Sequence, residues 1–102
     1  MELNSKIRFA DENVKKAYLE LDAPLKQHLD RAFEDIQQNA FCGLQIPKRL
    51  FPKEYGPLDN LWKYDLPNAW RLIYTVKKDG IIILSIVLEW FNHKEYERRF
   101  RY

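Results

Sequence analysis

Ala69-Trp70-Arg71-Leu72-Ile73-Tyr74-Thr75-Val76-Lys77, then Lys78-Asp79-Gly80, then Ile81-Ile82-Ile83-Leu84-Ser85-Ile86-Val87-Leu88, is the stretch whose pattern decides the architecture. Residues 69–77 alternate as an extended strand does. Trp70, Leu72, Tyr74 and Val76 share one face, and Arg71, Ile73 and Thr75 share the other. Lys78-Asp79-Gly80 reads as a hairpin turn, because glycine takes positive φ without steric cost. Residues 81–88 are apolar on both faces, broken only by Ser85, as a central strand should be. Two paired strands of this kind need a covering layer on the Trp70–Val76 face.

Upstream of the hairpin, Leu61–Leu66 is a short aromatic strand, joined to residues 69–77 by the tight turn Pro67-Asn68. Leu44–Pro57 holds Pro47, Pro52, Pro57 and Gly56, together with the cations Lys48, Arg49 and Lys53, and reads as an irregular crossing with at most one helical turn. The covering layer lies further upstream. Asp11 is a candidate N-cap, followed by Val14, Ala17, Tyr18 and Leu21 at i, i+3, i+4 and i+7. Asp22-Ala23-Pro24 breaks that helix and starts the next, whose stripe is Leu25, Leu29, Ala32, Phe33, Ile36 and Ala40, with Gly43 as the terminating glycine. So short a linker makes the two helices an antiparallel hairpin. Lys6–Ala10 alternates as a first short strand, and Asn92 is a candidate cap for a last helix carrying His93, Lys94, Tyr96 and Phe100. The expected fold is α+β with the order β-α-α-β-β-β-α, the helical hairpin packed on one face of a small, mainly antiparallel sheet. Leu29, Phe33 and Ile36 should meet Leu72 and Tyr74, and the opposite face, with Arg71 and Thr75, should be the more polar one.

A chain of 102 residues allows one domain, 1–102, and no second core. Its 46% hydrophobic and 15% aromatic content is enough to fill that core. No apolar run approaches the roughly 18 residues of a membrane span. Met1-Glu2-Leu3-Asn4 is not a basic segment followed by an apolar one, so no secretory signal is expected. A lone cysteine, Cys42, forms no internal disulfide and reads as a small buried residue at a helix end. A soluble cytoplasmic protein without membrane, metal or cofactor is expected. The net charge of +2 is uneven: residues 1–41 carry −2 and residues 42–102 carry +4. The basic excess is compatible with a polyanionic partner and equally with a solvated surface.

There is no phosphate-cradling glycine loop, and His28 and His93 have no metal-ligand spacing. What remains after residue 47 is a set of cations and proton carriers: Lys48, Arg49, Lys53, Lys63, Arg71, His93, Lys94 and Tyr96. That set suits metal-free RNA cleavage, in which the ribose 2′-hydroxyl attacks the adjacent phosphorus. Such a reaction needs a base, an acid and cations on the charged intermediate. Histidine transfers protons near neutral pH, arginine grips phosphate in a fork, and tyrosine offers a hydroxyl or a stacking ring. Each residue also has a plain structural reading. Arg71 is then half of an ion pair, Lys94, Arg98 and Arg101 a solvated helix face, and Tyr96 and Phe100 packing for the last helix. The tail Arg98-Arg99-Phe100-Arg101-Tyr102 alternates basic and aromatic groups, as nucleic-acid contacts do.

Residues 60–76, Asn60-Leu61-Trp62-Lys63-Tyr64-Asp65-Leu66-Pro67-Asn68-Ala69-Trp70-Arg71-Leu72-Ile73-Tyr74-Thr75-Val76, with the hairpin after them, resemble the central hairpin of RelE/ParE-superfamily toxins. Trp70-Arg71 before Leu-Ile-Tyr is the most specific element. Leu88-Glu89-Trp90-Phe91-Asn92-His93-Lys94-Glu95-Tyr96 resembles the family's end, in a form most similar to RelE-like proteins of archaea. The resemblance implies the toxin of a type II toxin–antitoxin pair, a ribosome-dependent mRNA endonuclease inhibited by a cognate antitoxin. By matching position it implies Arg71 as phosphate clamp, His93 as general acid or base and Tyr96 as base or stacking group. Lys63, Lys94, Lys48, Arg49, Lys53 and Arg98 would bind RNA. Asp65, where many relatives carry a basic residue, and Glu89 depart from the pattern and would repel phosphate. ParE-like members share the fold and act on DNA gyrase without ribonuclease activity. The alternative is therefore a non-enzymatic protein-binding module.

Overall fold

Asp11 begins the first helix as the sequence suggests. Its carboxylate accepts the Val14 N–H at 2.9 Å, and α1 runs Glu12–Leu19. A computed structural model describes residues 4–100; Met1-Glu2-Leu3 and the tail residues Arg101 and Tyr102 lie outside them. The other elements are β1 (Lys6–Phe9), α2 (Ala23–Gln38), β2 (Leu44–Gln45), β3 (Trp62–Leu66), β4 (Trp70–Asp79), β5 (Ile82–Phe91) and α3 (His93–Phe100). Asp22 precedes α2 but makes no side-chain cap, and Pro24 occupies its first turn. The sheet order is β1-β5-β4-β3-β2, antiparallel throughout except that β1 runs parallel to β5. The Pro-rich crossing contributes more than expected. It supplies the short strand β2 and two 3₁₀ turns, Lys48–Leu50 and Lys53–Tyr55.

Trp70, Leu72, Tyr74 and Val76 do face the helical hairpin. They pack there with the fully buried Leu29, Ala32 and Ile36 and with Val87, Ile7 and Phe9. Phe33 belongs to this layer but is only half-buried, touching the rings of Phe9 and Tyr18 at 6.0 and 5.6 Å. Phe33→Ala should therefore cost about 2 kcal/mol in urea unfolding, below the roughly 3–5 kcal/mol of an enclosed ring. A loss under about 1 kcal/mol would contradict its place in the core. Ser85, the polar break in β5, is buried. It bonds Ser5 Oγ at 2.8 Å, and Ser5 in turn donates to the Ile36 carbonyl at 2.9 Å, joining β5, the start of β1 and α2.

The opposite face, expected to be the more polar one, is largely apolar. Ile73 and Thr75 are buried, and a second apolar cluster covers the sheet there: Ile46, Leu61, Ile73, Phe91, Tyr96 and Phe100, flanked by Leu50, Phe51, Tyr55 and Leu58. Two layers therefore sandwich the sheet, and Arg71 lies at the margin of the second. A bulge makes this arrangement possible. Ile73 pairs with Glu89 and Tyr74 with Val87, so Leu88 is an extra residue in β5. The bulge reverses the alternation beyond it. Glu89 and Phe91 turn to the face of Ile73 and Arg71, and β5 continues three residues past the expected end at Leu88.

Asn60 extends β3 by imitation. Its Nδ2 donates to the Val76 carbonyl at 2.9 Å, and its Oδ1 accepts the Val76 N–H at 2.8 Å and the Thr75 hydroxyl at 3.0 Å. The side-chain amide thus stands in for a strand residue. Asn60→Ala leaves both Val76 backbone groups unpaired and should cost about 2–3 kcal/mol. Denaturation midpoints of the two proteins measure this, and an unchanged midpoint would refute the role. The β4–β5 turn comprises Gly80 and Ile81, with Gly80 at φ +64°, one position later than Lys78-Asp79-Gly80. The β3–β4 turn holds two non-glycine residues at positive φ, Asn68 and Ala69.

Candidate active site

Pairing in register aligns Asp65 of β3, Arg71 of β4 and Phe91 of β5 in one row across the sheet. The next row toward the sheet centre is Lys63, Ile73 and Glu89. The bulge at Leu88 brings Glu89 and Phe91 into these rows, on the face that α3 covers.

Tyr96 is the platform of the site. It is 2% exposed, and its ring stacks on Phe100 at 4.7 Å and lies 6.3 Å from Phe91. Two cations stand over the same ring: Lys63 Nζ at 5.3 Å and the Arg71 guanidinium carbon at 5.7 Å from its centre. The electron-rich ring face holds both cations near one another against their mutual repulsion. Arg71, with 17% of its side chain exposed, donates from Nη1 to the Trp70 carbonyl at 3.1 Å. Its Nε is buried. Asp65 Oδ1 lies 3.0 Å away but out of line with the N–H, so the contact is an ion pair without a directed hydrogen bond. Asp65 Oδ1 also lies 3.7 Å from Lys63 Nζ. Asp65 itself is 53% exposed.

Of the residues singled out in the sequence, Arg71, Tyr96 and Lys63 come together directly. His93 starts α3 two residues beyond Phe91, the partner of Arg71. Its Nε2 lies 2.6 Å from Glu97 Oε1, and the side chain is about half exposed. Lys94 is exposed on the same helix, and Arg98 pairs with Glu95. Lys48 and Arg49 on the first 3₁₀ turn and Lys53 on the second are exposed. Arg49, Lys53, Arg98 and Arg99 line an open groove of about 650 Å3 between the crossing and α3.

Glu89 does not intrude on the cations as feared. Arg99 grips both of its oxygens, Nη1 to Oε1 at 3.1 Å and Nη2 to Oε2 at 3.0 Å, and also pairs with Glu54. Burial works against the Arg99 charge, but the hydrogen bond to Glu89 and the two carboxylates push its pKa above the ordinary value. This clamp fastens α3, and with it Tyr96, to the sheet. Sequence reasoning missed it because Glu89 and Arg99 belong to different elements and only the bulge points Glu89 toward α3. Cys42, expected to be buried at a helix end, is exposed and lies beyond the last residue of α2, Gln38. Its thiol pKa is raised, chiefly by desolvation and then by Asp35, which is the opposite of nucleophile activation.

No family model and no curated protein matches the chain. Among solved structures it is similar to the E. coli toxin RelE, determined as a double arginine-to-alanine mutant in the free state. The match covers 99% of this chain and 96% of that one, with a TM-score of 0.58 and 14% sequence identity. The chain has the RelE fold. The helical hairpin on one face and the mainly antiparallel sheet follow that RelE-like architecture, and Arg71 and Tyr96 lie on the sheet face away from the hairpin. No helix among the described residues is long and apolar enough to cross a membrane.

Proposed function

We propose that this protein is the toxin of a type II toxin–antitoxin pair and acts in the cytoplasm as a ribosome-dependent, metal-independent mRNA endonuclease. One observation carries the reading. Arg71 is held over the Tyr96 ring beside Lys63, two cations gathered at one place on the sheet face away from the helical hairpin. A guanidinium fork beside an ammonium fits the oxygens of a phosphate. Arg71 grips the scissile phosphate and stabilises the charge that builds on it, Lys63 adds a second charge, and Tyr96 keeps both in place. His93, half-exposed near the end of the same row, is the acid that protonates the leaving oxygen. Lys94, Lys48, Arg49, Lys53 and Arg98 guide the RNA backbone, and the RelE-like fold supports a toxin of this type.

The experiment is incubation with programmed ribosomes followed by mapping of mRNA ends. New ends with a 2′,3′-cyclic phosphate and a 5′-hydroxyl are expected, and their absence would overturn the reading. A cognate antitoxin is the expected partner, docking a helical segment that masks the Arg71 face. Co-expression of the neighbouring gene product should rescue growth, and a product that neither binds nor rescues counts against the pairing. A second reading, a non-enzymatic module of the same fold that binds gyrase or only an antitoxin, is favoured by the Asp65–Arg71 ion pair, which partly neutralises the clamp. It predicts binding without new mRNA ends.

A further inference from the structure

The attack of a 2′-hydroxyl on phosphorus needs a group to take the hydroxyl proton, and the geometry narrows the candidates. Tyr96 is enclosed beneath two cations. His93 is assigned above as the acid and cannot also be the base of the same step. Glu89 has both oxygens held by Arg99. We propose that Asp65 is the general base of this site, a role that rests on the ribonuclease reading above.

Asp65 shares the row of Arg71, and its Oδ1 sits 3.0 Å from the buried Nε of the clamp. The attacking 2′-oxygen is close to the scissile phosphorus by the connectivity of the ribose. A carboxylate touching the group that holds the phosphate is therefore within reach of that hydroxyl. Asp65 is also accessible. Among the described residues β2 pairs with β3 only at Trp62 and Lys63, which leaves the end of β3 that carries Asp65 without a strand on that side. There Asp65, His28, Arg31 and Tyr64 line a groove of about 580 Å3, with room for a nucleotide. The charged groups paired with Asp65 are Lys63 on its own strand and Arg71 on β4, while His28 and Arg31 of α2 line the groove at the edge of β3. Together Lys63, Arg71 and Asp65 carry a net positive charge, so one carboxylate does not repel the phosphate from the cluster.

In the step itself, the Asp65 carboxylate takes the proton from the 2′-hydroxyl. The 2′-oxygen bonds to phosphorus as the bond from phosphorus to the 5′-oxygen breaks, and the 5′-oxygen takes a proton from the His93 imidazolium. The products are a 2′,3′-cyclic phosphate and a 5′-hydroxyl. Asp65 then releases its proton to water, and His93 recovers one from water.

The test compares single-turnover mRNA cleavage on programmed ribosomes by the full chain, Asp65→Asn and Asp65→Glu across pH, with thermal melting as the folding control. Asp65→Asn keeps the shape and removes the base. It should cleave about 10²-fold more slowly and lose the fall in rate on the acid side that the unaltered protein shows. Asp65→Glu should retain that fall and part of the rate, and it carries the test if Asp65→Asn melts early. An Asp65→Asn protein that cleaves as fast as the unaltered one, or faster, overturns the proposal and makes Asp65 only a competitor for the cations. An unaltered protein that cleaves with no fall on the acid side overturns it as well. Failure of the unaltered protein to cleave at all strikes the ribonuclease reading and the base with it, whereas cleavage with an unimpaired Asp65→Asn strikes the base alone.

Discussion

Arg71→Ala should cleave mRNA about 10²–10³-fold more slowly while remaining folded. The two effects separate because Arg71 sits at the margin of the second apolar layer and not inside it. Its pairing with the half-exposed Asp65 is worth at most about 1 kcal/mol to the fold. Its contact with the Tyr96 ring adds about 0.5–1 kcal/mol. Neither loss threatens a sheet anchored by the fully buried Leu72, Ile73 and Tyr74 on the same strand. In the proposed reaction, by contrast, the guanidinium would meet charge that exists only at the transition state. Arg71→Lys should rescue poorly, because a point charge cannot reproduce the fork. Single-turnover rates and urea midpoints of the three proteins check both halves. A fully active Arg71→Ala protein would leave the non-enzymatic reading ahead.

Gly43→Ala should cost about 3 kcal/mol of stability or more. A β-carbon at residue 43 would lie 2.5 Å from the Lys63 carbonyl oxygen and 2.8 Å from the Tyr74 hydroxyl. Neither atom can retreat. The Lys63 backbone belongs to β3, paired on both sides with β2 and β4. The Tyr74 hydroxyl is buried, donating to the Ala40 carbonyl at 2.8 Å and accepting the Gly43 N–H at 3.2 Å. Because the clash falls on the strand that carries Lys63 and Asp65, cleavage should drop along with stability. A shift in the unfolding free energy under about 1 kcal/mol would show that β3 can yield.

These two residues also mark how far the sequence could be read. Strict alternation in residues 70–76 has one structural outcome, and Trp70, Leu72, Tyr74 and Val76 face the helices accordingly. The face of Arg71 follows from the same alternation, and the structure brings it to 5.7 Å from the centre of the Tyr96 ring that the resemblance had singled out. The bulge was not, because residues 81–88 are apolar at either parity and shifting them changes no pattern. The clamp from Glu89 to Arg99 was hidden with it. Ile46, Leu50, Phe51, Tyr55 and Leu58 gave no warning of a second core, since prolines between them destroy any period. Gly43 looked like a helix terminator. In fact α2 ends at Gln38, and the glycine is needed where backbone and a buried hydroxyl approach too closely for any side chain. Repulsion between a carboxylate and a phosphate is visible in one dimension, whereas the place of Asp65 beside Arg71 and Lys63 needs the register of two strands.

The parallel edge strand has a consequence for how the protein comes into being. β1 is paired only by β5, Lys6 opposite Leu84 and Phe9 opposite Val87. Chains emerge from the ribosome N-terminus first at about 5–20 residues per second. Lys6–Phe9 therefore has no partner until Leu84–Val87 have been made, while the β4–β5 hairpin can close as soon as it is made. Tyr96 is later still. A nascent chain is thus expected to lack the β1–β5 pairing until β5 has been made, and the ring that gathers Lys63 and Arg71 until α3 has been made, so a prematurely terminated product ending between the two would have the strands of the sheet without that ring.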